Sequence, residues 1–180
     1  EFAGNQQNNI KYISGNGFSL PFSDSTFDLA FVHFVLLWVN EPVRMIKEMV
    51  RVTKKGGLIA AFAEPDYGGR IDYPVTLEAT GKEQTNSLIK QGIDPLCGRK
   101  LADFFHAAGL NNISAGIYGS QWKSSAHLFE STESDVLKSD LTKFSKNINL
   151  DQQSEIDHKY SNNVTRVLFV PTFFAYGSVD

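Results

Sequence analysis

Hydrophobic positions change their spacing several times along this chain, and each change marks an element. Residues 27–34, FDLAFVHF, are almost all apolar and lack the alternation of a half-exposed strand. They predict a strand buried on both faces of a parallel sheet. Next comes a 3.6-residue period: Val43, Ile46, Met49 and Val50 share one helical face, with Asn40 as N-cap and Pro42 in the first turn. Lys54 and Lys55 suit the negative end of that helix, and Gly56-Gly57 is expected to stop it. Residues 58–63 read as a second buried strand. Strand, helix and strand in this order predict a right-handed crossover within a parallel sheet, and hence an α/β fold.

Upstream, residues 10–14 are a short strand candidate ended by the turn-prone Gly15-Asn16-Gly17. Downstream, the pattern loosens over residues 66–74 and returns as a polar helix over 75–91. A core helix follows over 99–108, with Leu101, Phe104, Phe105 and Ala108 on one face and Gly109 as its stop. Residues 113–122 and 165–176 are strand candidates, and the charged stretch 135–159 between them is expected to be helical. Pro171 cannot donate to a ladder, so a bulge is expected in the last strand.

Composition narrows the picture. A chain of 180 residues with 42% hydrophobic and 21% charged residues fits one domain, residues 1–180, with a substantial core. A formal charge of −3, with no basic run longer than Lys54-Lys55, leaves no footprint for nucleic acid and favours a small-molecule substrate. The longest apolar run, residues 29–39, is interrupted by His33 and falls short of the roughly 20 residues of a membrane span. No secretory signal is recognisable at the start EFAGNQQNNI, and the sequons at Asn112 and Asn163 are read as chance. The lone Cys97 rules out an internal disulfide and Cys-based zinc patterns. Together these features place the protein in a reducing compartment, the cytoplasm. His106, His127 and His158 lack ligand spacing, so no metal is expected.

The segments LPFSDSTFD (residues 20–28), KKGGLIAAFAEPD (54–66), DPLCGRKLADFFHAAGL (94–110) and VLFVPTFFAYG (167–177) combine into a specific order. Together they resemble class I S-adenosylmethionine (SAM) dependent methyltransferases of the type 11/25-like group, specifically the carboxyl-terminal portion of the domain. The resemblance implies a partial Rossmann-like sheet, strands three to seven, with flanking helices and an antiparallel last strand. The glycine-rich loop that approaches SAM, and the acidic residue that binds its ribose, have no counterpart here. Gly15-Asn16-Gly17 is a turn signal, since no third glycine and helix follow it.

The resemblance also implies site residues. Asn16, Gly17 and Phe18 match the loop after strand three, which meets adenine; Phe18 packs either on that ring or in the core. Asn16 stands where the family commonly has an acid, so it is either an amide acceptor or a plain turn asparagine. Val32, His33 and Phe34 match the end of strand four, near the methionine part of SAM. His33 is the only ionisable group at that strand end and is either a base or a hydrogen-bonded core histidine. Glu64, Asp66 and Tyr67 follow strand five and face the substrate cleft or form a solvated loop. Arg70 and Arg99 each either bind an anionic substrate group or are an exposed arginine or a helix-end salt bridge.

In the family order, strand one lies next to strand four, so without strand one the strand at 27–34 becomes an edge. Leu29, Phe31, Phe34, Leu36 and Trp38 are then expected to be exposed, each forgoing roughly 1.5 to 3 kcal/mol of burial. A homo-oligomer, or a partner covering that edge, is therefore expected. Two functions follow. One is methyl transfer to a small molecule, with SAM bound if the missing half is supplied. The other is a non-catalytic module that oligomerises or binds a partner without any cofactor. An NAD-dependent dehydrogenase shares the layered architecture but is disfavoured, because its own glycine fingerprint is equally absent.

Overall fold

The computed structural model describes residues 10–119 and 167–180. The helix expected over 135–159, the ends of the strands expected at 120–122 and 165–166, the sequon at Asn163, and His127 and His158 lie outside the described residues.

Strand β1 (Phe27–His33) leads through a short 3-10 turn (Leu36–Trp38) into helix α1 (Pro42–Val52). The helix forms where the apolar period demands it, burying Ile46, Met49 and Val52. Its cap is Glu41 rather than Asn40, and no side chain caps it. Pro42 makes this tolerable, since it has no N–H to satisfy at the first turn. The stop also differs from expectation. Thr53 is already extended, and its hydroxyl donates to the Met49 carbonyl at 2.8 Å, so the helix ends before Gly56. Lys54 and Lys55 consequently lie in β2 (Thr53–Pro65), not in the helix. The glycine pair serves the strand entry instead. Gly56 has φ of +77°, and a Cβ on Gly57 would sit 2.8 Å from the Asp28 carbonyl oxygen.

After β2 the chain forms a 3-10 turn (Tyr67–Gly69), the short strand β3 (Ile71–Tyr73), and helix α2 (Glu78–Lys90). Helix α3 (Leu101–Ala107) follows, ended by Gly109 at φ +87°, and then β4 (Asn111–Ile117). The final segment contains β5 (Val167–Phe169) and β6 (Thr172–Ser178). Pro171 does interrupt the closing strand, but the break is a change of sheet rather than a bulge. β5 pairs antiparallel with β3, while β6 joins the main sheet.

The main sheet has the order β1-β2-β6-β4. β1 and β2 are parallel, with Leu29 opposite Leu58 and His33 opposite Phe62. β6 runs antiparallel to both β2 and β4. The mixed α/β sheet with an antiparallel closing strand is thus as expected. Residues 10–15 form no strand, and no strand among the described residues offers them a ladder.

Helices α1 and α3 cover one face, where Val32, Ile46, Met49, Ile59, Ala61, Leu101, Phe105 and Ala175 make the core. The expectation that β1 is buried on both faces fails on the other side. Leu29 is 50% and Phe31 60% exposed, and Leu58 and Tyr176 continue this open face on neighbouring strands. Phe34 and Trp38 are exposed too, but Leu36 is buried at 1%. The 3-10 turn swings Leu36 and Leu37 inward, so Leu36 does not belong to the open edge.

Candidate functional site at the carboxyl ends of the parallel strands

β1 and β2 end side by side, and parallel α/β sheets place ligands outside such ends. β1 delivers His33 and Phe34; β2 delivers Glu64 and, one residue beyond Pro65, Asp66. Both strands close in a left-handed kink, with φ of +57° at Phe34 and +57° at Ala63. A side chain rarely adopts this conformation, and such strain concentrates at sites where the surroundings hold it.

Glu64 is fully buried. Its Oε1 accepts the N–H groups of Val35 (2.9 Å) and Leu36 (3.1 Å), and its Oε2 accepts that of Leu37 (3.1 Å). Three successive amides make an anion-binding nest, and the protein fills it with its own carboxylate. Asp66 is buried as well. Its carboxylate accepts from Arg99 Nε and Nη2 (2.5 and 2.7 Å) and from the amides of Gly69 and Arg99 (3.2 and 3.3 Å). The same pairing raises the Arg99 guanidinium above its ordinary range. Both acids are therefore committed to internal donors, and the picture of a solvated loop does not hold for them. Arg99 is the helix-end salt bridge of the two readings offered for it.

Arg70 is committed too. Its Nε and Nη2 fork onto Asp72 at 2.6 and 2.9 Å, and Nη1 donates to Gln84. Arg70 and Asp72 are each 6% exposed, so Arg70 is not open to a substrate anion. Tyr67 is half-buried against the core, with its amide on the Pro95 carbonyl at 2.9 Å. Val32 points into the core, leaving its main chain as what it offers a ligand. His33, by contrast, is exposed, which excludes its reading as a core histidine.

The Asn16–Phe18 turn reaches the same end of the sheet by another route. A Cβ on Gly17 would sit 2.7 Å from Met45 Cε, and the Arg44 guanidinium lies 5.1 Å from the Phe18 ring centroid. Both partners belong to the first turns of α1, which begins on the carboxyl side of β1. Asn16 behaves as a turn residue: its Oδ1 accepts the Phe18 amide at 2.9 Å, and its carbonyl accepts the Ser19 amide at 2.9 Å. One lone pair of Oδ1 remains available for a donor.

Some participants were missed in the sequence. Asp72 could have been found, since an i, i+2 pair at a strand sets Arg70 and Asp72 on one side. Gln84 and the Val35–Leu37 amides carry no local signal, because their partners lie 14 and 27 to 29 positions away. Among the described residues no three His, Cys, Asp or Glu side chains converge to hold a metal ion. None of the described helices is long and apolar enough to cross a membrane. Cys97 is buried, and burial together with the negative Glu64 pushes its thiol up to about 12. It is therefore protonated and poorly nucleophilic at neutral pH.

The residues fit one side of a nucleoside-bearing cofactor. Phe18 offers a half-buried ring and Asn16 an amide oxygen with one open lone pair, and His33 and Phe34 stand at the end of β1. A cofactor carboxylate would find the nearby amide nest already filled by Glu64.

Comparison with known proteins agrees with this geometry. Residues 1–61 match the family described as methyltransferase domain. Demethylmenaquinone methyltransferase of Renibacterium salmoninarum is 44% identical over 61 residues, covering 33% of this chain and 26% of that protein. The enzyme of the same name from Bacillus pumilus is 31% identical over 120 residues, covering 59% of this chain and 51% of that protein. The chain thus spans about half or less of the length of these relatives. Among solved structures, phosphoethanolamine N-methyltransferase 2 of Haemonchus contortus superposes with a TM-score of 0.51 at 14% identity. That match covers 92% of this chain and 36% of the other, and it supports the fold.

Proposed function

We propose, from the premise that this chain belongs to the class I SAM-dependent methyltransferases, that it contributes the carboxyl-side half of an enzyme transferring a methyl group to a small molecule. The observation that carries this is the β1-β2-β6-β4 sheet: β1 ends at His33, and the Asn16–Phe18 turn packs on the first turns of α1, which follows that strand end. SAM is the cofactor, and when bound it supplies an electrophilic methyl on a sulfonium. The residues of this chain would chiefly orient it: Phe18 would pack on the adenine, Asn16 Oδ1 would accept from its amino group, and the end of β1 would line the methionine side. Displacement of the methyl from the sulfonium by an acceptor lone pair would need only positioning to lower its barrier, with no covalent enzyme intermediate. Where the acceptor loses a proton, exposed His33 is the group placed to take it. Glu64, Asp66, Arg70 and Arg99 shape the floor of the substrate side through the bonds described above, with Tyr67 on its wall.

A second copy, or the half that carries the glycine-rich loop, completes the active unit along the open edge of β1. It works in the cytoplasm, where a lone buried thiol is stable in its reduced form, without nucleic-acid or membrane partners. Calorimetric titration of the purified chain, at known oligomeric state, with SAM and with its demethylated product tests the proposal. Saturable binding in the micromolar range is the expected result. Absence of binding up to the millimolar range would reject catalysis by this chain alone. The alternative would then stand: a non-catalytic module that associates through its open sheet face, which the exposure of Leu29, Phe31, Leu58 and Tyr176 favours.

A further inference from the structure

We infer that Glu64 is a positioning residue: its carboxylate sets the shape of the turn after β1 and, through it, the presentation of His33 and Phe34. The second clause rests on the methyl-transfer reading; the first does not. A fully buried carboxylate is costly unless its oxygens are satisfied, and packing alone at this position calls for an apolar side chain. Its presence is explained by what it holds. Val35, Leu36 and Leu37 point three successive amides at one place, and Glu64 Oε1 and Oε2 accept all three within 2.9 to 3.1 Å.

Without that acceptor the three donors would be orphaned, two of them at buried positions. The kink immediately before them depends on the same support. Phe34 is held at φ +57°, with its own amide on the Phe62 carbonyl at 3.1 Å, and nothing intrinsic to phenylalanine favours that conformation. The carboxylate therefore ties the end of β2 to the loop after β1 across 27 to 29 residues of chain. It leaves the nest unable to take a ligand's carboxylate.

Amide hydrogen exchange read by NMR on the full chain, with a SAM titration, tests this in wild type, Glu64→Gln and the exposed-helix control Glu78→Gln. Glutamine keeps the volume but turns one acceptor oxygen into a donor that opposes the facing N–H. In the wild type, the amides of Val35, Leu36 and Leu37 are expected to be protected. In Glu64→Gln they exchange faster by on the order of 10- to 100-fold, while those of Ile46 and Phe105 are unchanged. The SAM dissociation constant rises by about tenfold in Glu64→Gln and stays unchanged in the control. Unprotected amides in the wild type would overturn the inference, even if the glutamine variant failed to fold. Unchanged exchange in Glu64→Gln, or faster exchange with unchanged SAM affinity, would overturn it as well. If the wild type takes up no SAM, catalysis by this chain alone is rejected, and the exchange data alone decide the role of Glu64.

Discussion

Arg70 and Asp72 show how a side chain that looks like a substrate anchor becomes internal structure. Both lie 94% out of solvent, and their forked pair leaves no guanidinium edge turned outward. Removing one partner strands the other charge, which costs far more than the pair contributes. Arg70→Ala is therefore expected to lower stability by about 3 to 5 kcal/mol in urea unfolding. A double change to apolar residues, Arg70→Met with Asp72→Leu, is expected to recover most of the loss, since no buried charge is left uncompensated. If Arg70→Ala instead retained full stability and altered only ligand affinity, Arg70 would be a binding residue after all.

The segment that precedes β1 is fastened to α1 by the side chains of Arg51 and Glu48. Arg51 donates to the carbonyls of Leu20 (3.1 Å) and Phe22 (2.9 Å) and to Asp24 Oδ1 (2.6 Å). It also pairs with Glu48, which in turn accepts the Leu20 amide at 2.7 Å. The Arg51 hydrogen bond, reinforced by the Leu20 amide, holds the Glu48 carboxyl down to about 2. A carboxylate depressed in the folded state adds stability that is present above its ordinary value near 4.5 and is lost as pH falls toward 2. Thermal midpoints measured across that window are expected to drop in the wild type. In Glu48→Gln the drop should be smaller and the midpoint at neutral pH lower. Equal slopes in the two proteins would show that this clasp contributes nothing. The glycine pair of β2 illustrates the same scale: read alone it signals a helix stop, yet Thr53 ends the helix first.

For the molecule as a whole, the consequential feature is the sheet with one dressed face and one bare face. Along β1, Leu29 and Phe31 stay exposed while Val32 is buried, and the outer edge of the strand has no neighbour among the described residues. Such an edge invites pairing with another chain. Light scattering at micromolar concentration is expected to find an assembly larger than one chain. Phe31→Asp, which places a charge in the exposed row without touching the helix-covered core, is expected to shift it toward monomer while the helical circular dichroism persists. A stable wild-type monomer would remove the association proposal.

The antiparallel close was implied by the family resemblance; the strand-helix-strand core, the buried faces of α1 and α3 and the Gly109 stop were legible in the amino-acid order. Each depends on side-chain periodicity within a few turns or on one residue's backbone preference. Candidate positions at the strand ends were legible too, since a parallel sheet delivers them there regardless of detail. Tertiary structure alone decided which of those side chains stayed open. Glu64 and Asp66 sit two residues apart at the end of β2, yet one fills an amide nest 27 to 29 residues upstream and the other a guanidinium 33 residues downstream. Leu36 and Phe34 are near neighbours in an apolar run, yet a single left-handed residue turns one inward and leaves the other exposed. The physical reason is that commitment of a polar group depends on donors brought close by the fold, and no local pattern records where those donors arrive.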